Sequence, residues 1–180
     1  HPRSTRPRGA STAAPGPHRR RAAGRHAAAG VMERHRHPSR PPMNSWTNPI
    51  VQQRADPHLS LVDGRYWFTA SVPSFDAIEI RVADGIAGLT ATPAKVIWRR
   101  HDSGPMSWHV WAPELHRING RWYVYFAASE RDDIWKLRMY VLECEGDDPL
   151  HDAWIERGQI ITPEEGFSLD ATPFEHRGKR

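Results

Sequence analysis

The chain has 180 residues with 25 Lys and Arg against 21 Asp and Glu, a formal net charge of +4, and one cysteine. No run of ~18 apolar residues occurs, which excludes a membrane-spanning helix. Cys144 on its own excludes an internal disulfide; it reads as a small apolar filler in a strand.

The net charge conceals two unlike pieces. Residues 1–45 hold 10 Arg and no Lys against one acid, Glu33, leaving 15 Lys and Arg against 20 Asp and Glu in residues 46–180. All eight Trp, four Tyr and five Phe lie in the second piece. The leading piece cannot bury enough apolar surface to offset chain entropy and is expected to be disordered. Its Arg residues would suit phosphate, but aromatic residues and periodicity are missing, so neither nucleic acid nor membrane is expected as a partner. Position 1 is His, while Met32 and Met43 are available as starts, so residues 1 to about 42 read as upstream codons translated from a misplaced start. No apolar core of ~7–15 residues follows the Arg cluster, so no secretory signal is visible. On sequence alone the cytoplasm is favoured, with an extracellular location open and oligomeric state not legible.

From residue 46 the pattern is β throughout. His58–Val62 and Tyr66–Ser71 flank Asp63-Gly64, a two-residue hairpin signal. Ala77–Ala83 alternates Ile78, Ile80 and Val82 with Glu79 and Arg81, a period of two, and Lys95–Arg99 makes a fourth strand. The pattern then recurs. Glu114–Ile118 and Trp122–Ala128 flank Asn119-Gly120, followed by strands over Leu137–Glu143 and Ala153–Arg157. Pro57, Leu59, Gly64 and Trp98 map to Pro113, Leu115, Gly120 and Trp154 by one constant step. A third copy begins at Asp170-Ala171-Thr172-Pro173-Phe174 and reaches Gly178-Lys179-Arg180.

Four antiparallel strands in ~56 residues is the size of a propeller blade. The fold expected is an all-β propeller, of which residues 46–180 supply two blades and the first strand of a third. A propeller needs at least four blades to close. An open one exposes strand edges and a blade face, so residues 43–180 alone are expected to give no soluble monomer with cooperative unfolding.

First strands of propeller blades line the central channel. Asp56 opens unit one, Glu114 lies near the start of unit two and Asp170 opens unit three, so three acids are expected to face one cavity. Gathered like charges are costly and call for a functional reason. Taken singly, Asp56 before Pro57 and Asp170 before Thr172-Pro173 are ordinary turn or cap residues; recurrence is what favours function. Carboxylates with indole rings suit sugars, through acid/base work and ring stacking. Trp108, His109 and Trp111 are candidates for contact with a sugar, with core filling between blades as the equal alternative. His58 and His116 read as satisfied inward residues, and no cluster shows metal-ligand spacing.

Asn48-Pro49-Ile50 with Ala55-Asp56-Pro57, Trp111-Ala112-Pro113-Glu114 and Ser168-Leu169-Asp170-Ala171-Thr172 together resemble glycoside hydrolase family 43. The likeness covers about residues 46–180. Phe68-Thr69-Ala70-Ser71-Val72-Pro73 and Phe126-Ala127-Ala128-Ser129 are similar to its exo-acting arabinofuranosidase branch. The resemblance implies a five-bladed propeller, a glycosidase acting on arabinose- or xylose-containing plant polysaccharides, and inversion by single displacement. It implies Asp56 as the general base and Asp170 as the aspartate that adjusts and orients the acid. It places the general acid, a glutamate, beyond residue 180, leaving residues 1–180 inactive and Glu114 a pocket or structural residue. No cofactor is required; a channel cation is known in some members, its ligands not assignable from this half. A non-catalytic carbohydrate-binding propeller and a protein-interaction propeller are the alternatives.

Overall fold

The computed structural model describes residues 48–164 and 166–179, all within the compact unit spanning residues 41–180. The basic segment expected to be disordered lies outside the described residues. Eight strands follow in order: β1 (Ala55–Val62), β2 (Arg65–Ser71), β3 (Ala77–Ala83), β4 (Lys95–Arg99), β5 (Trp108–Ile118), β6 (Arg121–Glu130), β7 (Asp133–Cys144) and β8 (Trp154–Gln159). They form two four-stranded antiparallel sheets, β1-β2-β3-β4 and β5-β6-β7-β8. The expected blades are there.

Turn chemistry sets the hairpins. Asp63 and Gly64 have φ of 50° and 76°, and Asn119 and Gly120 have 51° and 83°. Two consecutive left-handed residues make the type I′ turn whose twist matches the strands it joins. A third such turn occurs at Arg177-Gly178, φ 50° and 71°, closed by a bridge between His176 and Lys179. The third unit therefore has its first hairpin turn. Its first strand, expected from Asp170, is not formed in the described residues. A strand exists only through its ladder, and just the one bridge is present there.

The sheets stack face to face. Trp67 of β2 lies 4.6 Å from Trp122 of β6 between ring centroids, and Trp98 of β4 lies 5.1 Å from Phe126 of β6. Ile78, Ile80, Val110, Leu115, Val124, Phe126 and Leu142 are fully buried in this shared core. First strand meets first strand, with His58 and His116 4.7 Å apart. At the opposite edge Glu156 of β8 accepts from the Trp98 indole at 2.7 Å and contacts His101 at 2.8 Å. This edge-to-edge order holds the starts of β1 and β5 side by side. The sequence reading lacks one element, a short 3-10 helix over Ile86–Thr90 that buries Leu89 beneath sheet one.

Candidate active site

Both first strands are bulged at their upper ends. Register breaks in β1 between Ala55 and His58, and in β5 between Trp111 and Glu114. Inside these breaks Asp56 has φ 49° and Ala112 has φ 44°. Asp170 has φ 58°. Each of the three stands seven residues ahead of the first left-handed residue of its own hairpin turn, Asp63, Asn119 or Arg177. Asp56, Ala112 and Asp170 are therefore the equivalent positions of three successive units. Left-handed backbone costs an L-residue ~1–2 kcal/mol, which Asp offsets better than Ala. Bulges and such strain gather next to working sites, where they re-aim a side chain.

This corrects one expectation. Glu114 is not the counterpart of Asp56; it occupies the place of His58, opposite Tyr125 as His58 is opposite Thr69. The bulge adds a residue, so strand faces cannot be counted by simple alternation through it. Two aspartates, not three acids, recur at one place.

The acids still share a field. Asp170 is exposed, yet partial desolvation and then the negative charges of Asp56 and of Glu114 raise its carboxyl pKa above the usual value. Glu114 itself is tied down, its Oε2 2.9 Å from His116 Nε2. His58 Nδ1 accepts the Leu115 N–H at 3.3 Å. Burial and the neighbouring His116 hold the His58 imidazole below its usual pKa, outweighing the opposite pull of Glu114.

The side chains of His58, Glu114 and His116 thus offer ligand atoms within 4.8 Å of one another, a cluster that spacing in the sequence does not reveal. As hydrogen-bonded here it does not fit a cation. The Nδ1 lone pair of His58 is taken by Leu115 N–H, so the neutral ring carries its proton on Nε2, and His116 Nε2 is engaged with Glu114.

The aromatic candidates divide. Arg100 and Arg131 lie over the Trp108 ring at 4.5 and 5.4 Å, so this indole is already engaged in cation–π contacts. Trp111 meets Phe75 edge-on at 5.9 Å and stacks on His109 at 4.5 Å and 25°. Its indole N–H has no hydrogen-bond partner among the described residues. His109 also holds the β6–β7 hairpin, with Nδ1 3.0 Å from the Ile134 carbonyl. Its ring lies 5.9 Å from that of exposed Trp135. Trp135 and Ser71 are neighbours of the site that the sequence reading left out. Ser71 is buried; its Oγ accepts the Ala112 N–H at 2.8 Å and lies 3.4 Å from Asp56 Oδ2.

Known proteins resemble this chain over the same residues. An extracellular exo-alpha-(1->5)-L-arabinofuranosidase of Streptomyces chartreusis is 52% identical over 136 residues, covering 75% of this chain and 42% of that protein. One of the same description from Streptomyces avermitilis is 51% identical over 140 residues, covering 77% of this chain and 29% of its own length. The crystal structure of an alpha-L-arabinofuranosidase from Lactobacillus brevis superposes with a TM-score of 0.68 at 48% identity, covering 73% of this chain and 43% of that one. The chain thus spans less than half the length of these relatives. The family described as glycosyl hydrolases family 43 matches residues 46–180, and the chain belongs to it.

Proposed function

We propose that the intact protein is an exo-acting α-L-arabinofuranosidase, cleaving terminal arabinose from arabinose-containing polysaccharides with inversion. The observation that carries this reading is the pair Asp56 and Asp170, which stand at equivalent positions of two units, both in left-handed backbone, with Asp56 among the charges that raise the Asp170 pKa. The names of relatives about half identical to this chain support the choice of sugar.

Asp56 accepts a proton from water as that water attacks the anomeric carbon. A carboxylic acid on the opposite side protonates the leaving oxygen; in inverting enzymes base and acid stand ~6.5–9.5 Å apart. Glu114 is not assigned as that donor, being bonded to His116; the assignment goes to a glutamate outside residues 1–180. Asp170 acts on the donor in the way Asp56 and Glu114 act on Asp170. A neighbouring negative charge raises the donor's pKa and keeps it protonated until transfer. Because two of these relatives are named extracellular, the proposed place of action is outside the cell, against the weight that sequence alone gave the cytoplasm.

The test is proton NMR of the sugar first released by the intact protein from an arabino-oligosaccharide. Inverted anomeric configuration is expected; a retained configuration contradicts the mechanism. Asp56→Asn should lower kcat by ~10²–10⁴-fold, the usual worth of general base catalysis.

A further inference from the structure

Ser71 closes β2 at the mouth of sheet one and is 2% exposed. Its hydroxyl oxygen receives the Ala112 N–H from the neighbouring sheet at 2.8 Å. A backbone N–H can only donate, so the Ser71 oxygen is the acceptor there. The single hydroxyl proton is then left for Asp56 Oδ2, at 3.4 Å. The direction is fixed as Ala112 N–H to Ser71 O–H to the Asp56 carboxylate.

A second observation concerns the repeat. In unit one Ala55 pairs with Ser71, and in unit two Trp111 pairs with Ala127, so Ala127 is the counterpart of Ser71. Where the bulge carries Asp56, the strand beside it ends in Ser; where the bulge carries Ala112, the same position is Ala. A hydroxyl is present at the bulge that has a carboxylate to hold and absent from the one that does not. Ser71 and Ala127 are both buried, so the difference is not one of exposure.

We propose that Ser71 is a positioning residue for the base. It hands one oxygen of Asp56 a hydrogen bond anchored on the backbone of the second sheet, so that the other oxygen faces the attacking water. This rests on the proposed glycosidase reading. It makes the alignment of the base depend on how the two sheets pack, because the relay begins on one and ends on the other. Misplacing a reacting group by even ~1 Å is known to cost large factors in rate.

The experiment uses the intact protein with Ser71→Ala and Ser71→Thr, and with Ser71→Cys in place of the first where Ser71→Ala does not fold. Kinetics on an arabino-oligosaccharide are expected to show kcat lowered about tenfold in Ser71→Ala with KM within about twofold, the pattern of lost transition-state alignment. Ser71→Thr, which keeps the hydroxyl, should recover most of kcat. A Ser71→Ala kcat within about twofold of wild type overturns the proposal, as does a Thr variant as slow as the Ala variant at unchanged melting temperature. A second readout is independent of catalysis. During acid titration the Ala112 amide resonance should respond to Asp56, and that response should vanish in both Asp56→Asn and Ser71→Ala. Were the wild type to cleave no glycoside, the functional reading would fall while this titration still decides the relay. A response that survives in Ser71→Ala overturns it.

Discussion

Replacing Trp122 by Ala would remove one of the rings that join the two sheets. Trp122 is 3% exposed and lies against Trp67 at 4.6 Å, with the Arg117 guanidinium 5.7 Å from its centroid. A Trp buries ~150–250 Å², which at about 25 cal/mol per Å² corresponds to ~4–6 kcal/mol. Measured truncations of buried aromatic residues to Ala cost ~3–5 kcal/mol because the surroundings partly relax. The expected loss is ~4 kcal/mol. Of this, ~1 kcal/mol belongs to the aromatic pair and should appear as coupling in a double-mutant cycle with Trp67→Ala. Urea unfolding of the intact protein followed by circular dichroism measures it through the midpoint, at unchanged slope. A loss below ~1 kcal/mol would mean that the face-to-face packing described here is wrong, and with it the crossing from Ser71 to Ala112.

Two further outcomes follow from backbone and charge. The His58 imidazole is held below its usual value of 6.5 by burial and by His116, so near and just below that pH the unfolded chain binds a proton that the folded one does not. Stability therefore falls as pH drops below about 6.5 and levels off beneath the folded pKa; His58→Phe should flatten this slope in urea midpoints. Gly120 has φ +83°, and a Cβ added there meets nothing within 4 Å. Gly120→Ala should then cost only the left-handed backbone term, ~1–2 kcal/mol, and a loss well above that would point to contacts the structure does not show.

Much of this fold was legible because local chemistry and tertiary structure agree. Asp63-Gly64 and Asn119-Gly120 demand positive φ wherever they occur, and alternation in Ala77–Ala83 leaves one reading. Strand ends were less legible. β7 starts at Asp133, ahead of the expected Leu137, because Glu130 pairs with Asp133 across a tight hairpin whose exposed residues carry no alternation. The Ile86–Thr90 helix was missed since five residues show no helical period, and only Leu89 is buried. At the site, Asp56 and Asp170 were singled out from their contexts, and the place of Glu114 was legible too, since the step that pairs Pro57 with Pro113 pairs His58 with Glu114. The convergence of His58, Glu114 and His116 exists only once β1 lies beside β5. Ser71 carried a weak signal, a hydroxyl where the repeat has Ala127, which becomes meaningful only when the register is known.

The account depends above all on Asp56 and Asp170 sharing one space. Its most direct test is a carboxyl carbon-13 NMR titration of Asp170 in the intact protein and in its Asp56→Asn variant. The account predicts an Asp170 midpoint above the ordinary aspartate value, falling when Asp56 loses its charge yet staying raised by partial desolvation and Glu114. An Asp170 titration unmoved by Asp56→Asn would contradict it.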